Sequence, residues 1–392
     1  MTEKNKPRYP GGRKRRARAA QRSAGLQKHP FVIDHIDSLG QGVCKQNGKV
    51  TFIAKTLPGE TGTARIYKRS KGVQFATLES LDKESGDRSA PQCEHFAQCP
   101  GCHYQHTSYQ HELAFKTEAL RKISQPLFEG GYVNGDIKVF AAPERIGYRN
   151  RMQLHYRHQY IGMLNASNDQ VVEIPGCKLI RPELQVGFDQ LYQDKSWRDN
   201  NVGQGHCELY WNGETVKQTW NGDYAEGGFT QVNEFMNTRL KQIVTDKIIS
   251  SARSVSSLLD LFSGSGNLSN PVIDKLPANT KRTMIDVMPL THPDYIQLDL
   301  YQPDALTQLN KQAATGHFDC VLLDPPRKGF ADLGRWIKKI KPRQLVYVSC
   351  NASTMVRDLR GLEGKYTIDE LALVDLFPAT HHFETLACVS FK

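Results

Sequence analysis

The 392-residue sequence contains no run of eighteen or more apolar residues, so it offers no candidate transmembrane helix. Its first residues are basic but have no apolar stretch behind them, so a secretory signal is not expected and a soluble cytoplasmic chain is. No internal repeat is present, which excludes solenoids and propellers. Acidic residues are too few to balance the basic ones, 41 against 51, leaving a net charge of +10. Hydrophobic residues (39%) and charged residues (23%) are in the ordinary range for a globular chain, and the length suits two or three domains rather than one. Nine cysteines in a reducing compartment point to metal binding or catalysis before disulfides.

The excess charge is localised. Residues 1–29 hold Lys4, Lys6, Arg8, Arg13, Lys14, Arg15, Arg16, Arg18, Arg22 and Lys28 against Glu3, a balance of +9 that leaves +1 for the rest. So basic a segment with few large apolar side chains cannot offset its ordering entropy, and it is expected to be a disordered tail able to bind phosphates. A merely solubilising tail is the bland alternative.

After His29 the pattern becomes short alternating segments, Phe31–Ile36, Val50–Ala54, Thr63–Tyr67 and Val73–Leu78, separated by Gly40, Gly42, Asn47-Gly48 and Leu57-Pro58-Gly59-Glu60. This predicts a small antiparallel barrel of the oligonucleotide-binding kind. An amphipathic helix is predicted from about Ser108 to Gln125, followed by a mixed region rich in Tyr, Arg and Trp up to about Gly228. Further on, Ser257–Phe262, Thr283–Asp286, Cys320–Leu323 and Leu345–Ser349 are short apolar runs ending in Gly or Asp-Pro, as in a parallel sheet with helical crossovers.

Cys93, Cys99 and Cys102 are spaced to curl around a central ion or cluster, and Cys177, beside Gly176, is the candidate fourth thiol. The spacing fits four-cysteine zinc equally well, with a disulfide as the third reading. Cys44, Cys207, Cys320 and Cys388 lie outside this pattern and read as small buried hydrophobes. Leu258 to Asn267 is an apolar strand running into a Gly264-x-Gly266 turn, where a doubly wound sheet binds an adenosine cofactor. Leu268 and Ser269 stand where a dinucleotide fingerprint would continue to a third glycine, which favours S-adenosylmethionine over NAD. Asp286 ends the next apolar run, where a carboxylate can accept from both ribose hydroxyls. Asp324-Pro325-Pro326-Arg327 puts a carboxylate on a rigid turn at a strand's carboxyl end. Cys350 ends another strand at that edge, and His381, His382 and Glu384 open the final one with candidate acids and bases. A lone cysteine at a strand end is usually an inert core residue; here it comes with these partners.

Together these residues resemble the RNA uracil-5-methyltransferase family, in particular its RlmD type, and the resemblance covers most of the chain. It implies an α/β Rossmann-like S-adenosylmethionine-dependent methyltransferase domain over 229–392, preceded by three segments. These are the basic tail at 1–29, a TRAM (OB-like β-barrel) domain at 30–91 and a central α+β iron–sulfur and RNA-binding domain at 92–228, whose helix 108–125 packs on the catalytic domain. By resemblance Cys93, Cys99, Cys102 and Cys177 are ligands of a [4Fe-4S] cluster, and Gly147-Tyr148-Arg149-Asn150-Arg151 is a central-domain motif. Phe229, Gln231 and Asn233 match a segment whose glutamine binds the cofactor, with Phe262, Asn267, Asp286 and, more loosely, Asp299 as further cofactor contacts. Asp324 lies between cofactor and target base, Cys350 is the nucleophile and Glu384 the base. The implied reaction methylates carbon-5 of a uridine in 23S ribosomal RNA, by a monomeric enzyme. A free thiol near pKa ~8.5 is only a few per cent ionised at neutral pH, so a positive neighbour such as Arg357 or a histidine is expected beside Cys350.

The sequence departs from the family at one place that bears on function. Only Val287–Asp294, with two prolines, separate Asp286 from the strand-like Tyr295–Leu298, where the family has a full crossover helix. Ser263 and Ala352 also replace a common cysteine and proline. Two alternatives follow: a non-catalytic RNA-binding scaffold that has lost part of the cofactor pocket, and the same chemistry on another RNA.

Overall fold

The computed structural model describes residues 28–223, 230–250, 255–313 and 317–392, so nearly all of the basic tail lies outside the described residues. Those described divide into two compact units, one built from residues up to 37 with 41–88, the other from 38–40 with 89–392.

The first unit is a six-stranded sheet of β1 (Lys28–Val32), β2 (His35–Ile36), β3 (Gln41–Gln46), β4 (Lys49–Ala54), β5 (Thr61–Ser70) and β6 (Val73–Lys83), ordered β1-β5-β6-β4-β3-β2. Asn47 and Gly48 both have positive φ, 51° and 69°, which matches the twist of the β3–β4 hairpin. Phe31, Ile33, Cys44, Ile53, Ala64, Ile66 and Ala76 form its core. The expectation of an antiparallel barrel needs correction: β4 and β6 run parallel, pairing Val50 with Val73 through Ala54 with Thr77. Alternation of polar and apolar residues shows which face is buried but not which way a strand runs. The fully buried Glu60 is held by Arg88 Nη2 at 2.8 Å and by the Leu57 amide at 2.8 Å.

In the second unit, α1 (Tyr109–Glu129) opens with Ser108 as N-cap, accepting from the His111 amide. It runs past Pro126, where sequence alone stops it, because Leu120 and Leu127 are fully buried in the main core and packing there outweighs the missing amide. Lys116 of α1 is fully buried between Glu112 (2.7 Å) and Asp375 (2.8 Å), with Arg145 completing the charge balance on Glu112. β7 (Lys138–Phe140) joins the far edge of the large sheet.

A five-stranded antiparallel sheet follows, built from β8 (Arg151–Arg157), β9 (Tyr160–Leu164), β10 (Val171–Val172), β11 (Gln204–Trp211) and β12 (Val216–Trp220). Helix α2 (Pro182–Gln193) and the short α3 (Trp197–Asn200) interrupt it in sequence, and Leu184, Phe188 and Leu191 of α2 share a core with Met152, Leu154, Tyr156 and Leu209 of the sheet.

The remaining elements are α4 (Glu234–Ile249), β13 (Ser257–Leu261), α5 (Asn270–Ile273), β14 (Lys281–Asp286), β15 (Tyr295–Gln297), α6 (Ala305–Gln312), β16 (Cys320–Leu323), α7 (Leu333–Ile340), β17 (Gln344–Ser349), α8 (Ala352–Arg360), β18 (Tyr366–Val374) and β19 (Glu384–Phe391). They give an eight-stranded sheet ordered β15-β14-β13-β16-β17-β19-β18-β7. The strands β13 to β17 run parallel and β19 runs against its neighbours β17 and β18. Strands β13 and β16 are buried along their whole length, as expected of a sheet covered on both faces.

No helix forms between β14 and β15, as the short connection predicts. A loop suffices because the register pairs Met284 with Tyr295, so the chain retreats by only about two residues, roughly 7 Å. Arg282 Nε to Asp294 Oδ2 (3.0 Å) and Tyr295 Oη to the Asp286 carbonyl (3.0 Å) fasten it. Among the described residues no helix is long and apolar enough to cross a membrane.

Candidate active site

The carboxyl ends of the parallel strands form the site, since each apolar strand delivers the residue that follows it to that edge. At the end of β13 the chain turns sharply, with Phe262 at φ +60°, Gly264 at +52° and Gly266 at +81°. A side chain at Gly266 would meet Asn270 Oδ1 at 2.7 Å, so the glycine is required there. Asp286, ending β14, accepts the Gly264 amide on Oδ2 (2.9 Å) and the Met288 amide on Oδ1 (3.1 Å). Each oxygen thus already holds the local backbone and keeps a lone pair for a ligand hydroxyl. Phe262 packs against Tyr301 and Phe330, with ring centroids 5.3 Å from each.

The other proposed cofactor residues are each fixed by local hydrogen bonds. Asn267 and Asn237 of α4 exchange two amide hydrogen bonds, at 3.0 and 3.2 Å, so Asn237 orients Asn267. Asp299 accepts the Tyr301 amide at 3.0 Å, and that bond holds its carboxyl below the usual range. Gln231 sits just before α4, with its carbonyl bonded to Asn150 Nδ2 at 3.2 Å. Phe229 lies outside the described residues.

Three reactive groups meet at the centre of the edge. Strands β17 and β19 pair Ser349 with Thr385, so Cys350, one residue on, stands opposite Glu384, one residue before. Asp324 follows β16, the other neighbour of β17. Burial pushes the Cys350 thiol up to about 11, with Glu384 and then Asp324 adding to the rise. Burial likewise lifts Asp324 to about 7, and Asp260 contributes. Glu384, only 4% exposed, is raised well above a normal carboxyl by burial and then by Asp324. Its Oε2 has no hydrogen-bond partner among the described residues. A half-buried thiol thus stands beside one buried and one partly buried carboxyl, each of the three with its proton held more tightly than in water.

The positive neighbour expected at Arg357 is elsewhere. Arg357 Nε bonds Asp358 at 2.9 Å and its Nη2 reaches the Lys328 carbonyl at 2.8 Å. Arg327 is the cation that opposes the rise at both Cys350 and Glu384. It follows Asp324-Pro325-Pro326 directly, and that adjacency was the available signal. His381 and His382 are pushed down to about 4 and about 3, by burial first, and so are neutral. They cannot supply the charge.

The four cysteines are brought together away from this edge. Cys93, Cys99, Cys102 and Cys177 line one small cavity of about 30 Å³, with Gln105 and Arg149. Among the described residues, no group of three or more His, Cys, Asp or Glu side chains is placed to hold a metal ion directly. Burial raises the Cys102 thiol to about 12, and the neighbouring Cys177 and Cys99 add to it. Gln105 Nε2 donates to Cys102 Sγ at 3.2 Å and the Gly101 amide to Cys99 Sγ at 3.4 Å, bonds that favour thiolate sulfur. Cys44, Cys207, Cys320 and Cys388 are buried, as expected, and all nine cysteines are unbridged.

The chain is similar to known proteins along most of its length. A family model described as tRNA (Uracil-5-)-methyltransferase matches residues 306–390, the stretch holding Asp324, Cys350 and Glu384. The 23S rRNA (uracil(1939)-C(5))-methyltransferase RlmD of Shewanella baltica is 29% identical, over 92% of this chain and 95% of its own length. The protein of the same description from Marinomonas posidonica is 27% identical, over 91% and 94%. The Pyrococcus abyssi tRNA (uracil-54, C5)-methyltransferase, solved with S-adenosyl-L-homocysteine, shares the fold with a TM-score of 0.67 at 20% identity, covering 92% of this chain and all of that one. The chain's likeness to these relatives over nearly its full length, and the match across residues 306–390, support its placement in the RNA uracil-5-methyltransferase family.

Proposed function

We propose that the protein transfers a methyl group from S-adenosylmethionine to carbon-5 of a uridine in 23S ribosomal RNA through a covalent adduct at Cys350. The observation that carries this is the register placing Cys350 opposite Glu384 at the open edge, beside Asp324. The full-length likeness to RlmD proteins favours the ribosomal substrate.

Carbon-5 of uracil is a weak nucleophile until carbon-6 is attacked. Cys350 gives up its proton to water and its sulfur bonds to carbon-6, pushing the electron pair toward carbon-5 and the carbonyl oxygen. S-adenosylmethionine, when bound, would supply a methyl group on a positively charged sulfur for carbon-5 to take, leaving as the neutral thioether. Glu384 then removes the carbon-5 proton, the electron pair re-forms the double bond and the carbon–sulfur bond breaks. Gln231, Phe262, Asn267, Asp286 and Asp299 are the residues that would hold the cofactor, with Asp324 between it and the base. Arg327 stabilises the thiolate while Asp324 and Glu384 resist it, so nucleophile and base do not both carry full charge at rest.

The four clustered thiols and their N–H···S donors fit a [4Fe-4S] cluster, held by Cys93, Cys99, Cys102 and Cys177. Domain assignments go with this reading: a TRAM-type unit over 30–91, a central RNA-binding domain over 92–228 and the catalytic domain over 229–392. The second reading, an RNA-binding scaffold without catalysis, draws on the loop that replaces a crossover helix after Asp286.

The test is transfer of labelled methyl from S-adenosylmethionine to unmodified large-subunit ribosomal RNA, followed by nucleoside analysis. Wild type yields 5-methyluridine and Cys350→Ala yields none. RNA binding with no transfer by wild type would replace this reading with the scaffold.

A further inference from the structure

We infer that the four-cysteine site acts on methyl transfer by position, holding the turn that carries the base and the segment that carries the cofactor glutamine through two hydrogen-bonded clips. This rests on the roles proposed above for Glu384 and Gln231.

The first clip starts at Cys102. The next two amides, of His103 and Tyr104, both donate to the carbonyl of Ala379, at 2.8 and 3.2 Å. Ala379 is fully buried, packs in one cluster with Cys93, Cys102 and Cys177, and has φ +64°, a left-handed conformation an alanine keeps only where its surroundings impose it. Those surroundings are visible on both sides. Tyr148 Oη donates to the Pro378 carbonyl at 3.0 Å, and His103 Nε2 meets His381 Nδ1 at 3.1 Å. Opposite, the Ala379 amide donates to Glu112 Oε1 at 2.7 Å and Lys116 Nζ to the Phe377 carbonyl at 3.2 Å. This turn runs straight into Glu384 at the start of β19.

The second clip starts at Cys177. Arg149 bridges two segments, Ile180 on one side and Asn233 on the other. Its amide donates to the Leu179 carbonyl at 2.8 Å, and the Arg181 amide to the Arg149 carbonyl at 2.9 Å. Asn150 continues the clip, its amide to the Val232 carbonyl (2.9 Å) and its Nδ2 to the Gln231 carbonyl (3.2 Å). The Gly147-Tyr148-Arg149-Asn150-Arg151 motif is therefore the joint between the fourth cysteine and the cofactor segment.

Cysteines 93 to 102 lie in turns, outside any helix or strand, so their loop has little ladder of its own to hold it. A group bonded to all four sulfurs would close that loop onto Cys177 and fix both clips at their roots. The turn at Ala379 and the segment at Gln231 then open together when the sulfurs are unbridged.

The experiment compares protein reconstituted with ferrous iron and sulfide with the same protein stripped by chelation, using site-resolved amide exchange. Loading slows exchange at His103, Tyr104, Ala379, Arg149 and Asn150 at least tenfold and leaves 257–261 and 320–323 unchanged. In the loaded protein, Tyr148→Phe keeps its visible absorbance and S-adenosylmethionine affinity but lowers kcat severalfold, because the base-side clip loses its bond to Pro378 while the backbone bonds of the second clip are untouched. Equal loosening of 257–261 on stripping, no difference at the clip amides, failure to take up iron, or a Tyr148→Phe enzyme with unchanged kcat would each overturn the inference. The exchange comparison needs no turnover, so a loaded wild type that protects these amides but transfers no methyl would overturn the functional reading alone.

Discussion

Asp319 and Asp324 sit at the two ends of one strand, β16, and are treated in opposite ways. At the amino end, Asp319 Oδ2 accepts from the amides of Ser256 (2.8 Å) and Ser257 (3.1 Å) and from both their hydroxyls, while Oδ1 pairs with Arg343. Those bonds outweigh its burial and hold its carboxyl well below the ordinary range. At the carboxyl end Asp324 has burial and the like charge of Asp260 against it, and its carboxyl rises to about 7. The fold satisfies the carboxylate that closes the sheet and starves the one at the open edge. In a parallel α/β sheet the edge that catalyses is thus recognisable by what its charged groups lack.

The sharpest way to break this comparison is at the starved end. Glu384→Gln removes the proposed base but keeps the shape, and turnover should fall by about 10³ or more, since proton removal by a placed base contributes 10²–10⁴-fold. The RNA should then accumulate as a covalent complex resolved by denaturing electrophoresis, because the Cys350–carbon-6 bond forms but has no exit. If the variant turned over at the wild-type rate, Glu384 would not be the base.

At the satisfied end the effect moves to stability. Asp319→Ala strands the buried Ser257 amide and the partly buried Ser256 amide and should cost about 2–4 kcal/mol in denaturant unfolding, with kcat changed less than twofold. The sign of the pH effect is fixed by the lowered carboxyl. Asp319 contributes its full stability above the unfolded value near ~3.9 and loses it as pH falls through the lower folded value. Wild type should therefore lose its advantage over the variant below about pH 4, as a melting series would show.

What the sequence makes legible follows the same division. Apolar runs ending in Asp-Pro or Gly mark β13, β16 and β17 to within a residue, and so place Asp324 and Cys350 at the same edge. The pairing of Cys350 with Glu384 is hidden, because it depends on the register between β17 and β19 across the whole of α8 and β18. Arg357 was the wrong cation for a related reason. A helical arginine near the nucleophile in sequence is held by its own neighbour Asp358, whereas Arg327 arrives on another strand's loop. Strand direction was equally hidden, so the parallel β4–β6 pair was misread. Local pattern encodes burial, and long-range pairing decides which buried groups meet.

Arg327 offers a finer cut at the starved end. Arg327→Gln removes a cation that opposes the rise at Cys350, so the thiol should climb further from about 11. Below its pKa a thiol's ionised fraction falls about tenfold for each unit that the pKa climbs, so adduct formation at a fixed pH near 8 should slow in proportion to that climb. Rate should still increase with pH in both enzymes, the variant's curve lying to the alkaline side. A pH profile identical to wild type would mean that another positive group, such as the bound cofactor's sulfonium, sets the thiolate.

The smallest effect is a stability gain where catalysis is lost. Because burial raises Glu384 in the folded chain, the folded state binds the proton more tightly than the unfolded one, so its contribution is favourable below about pH 4.3 and declines as pH rises. Glu384→Gln has no proton to lose and should melt higher than wild type at pH 8, by a few degrees, with the gap closing toward pH 5. Asp319→Ala moves the opposite way with pH. Opposite slopes from substitutions at the two edges of one sheet would mean that the catalytic edge is held in place by the stability of the other; parallel slopes would mean that burial alone, and not the missing hydrogen bonds, distinguishes the two carboxyls.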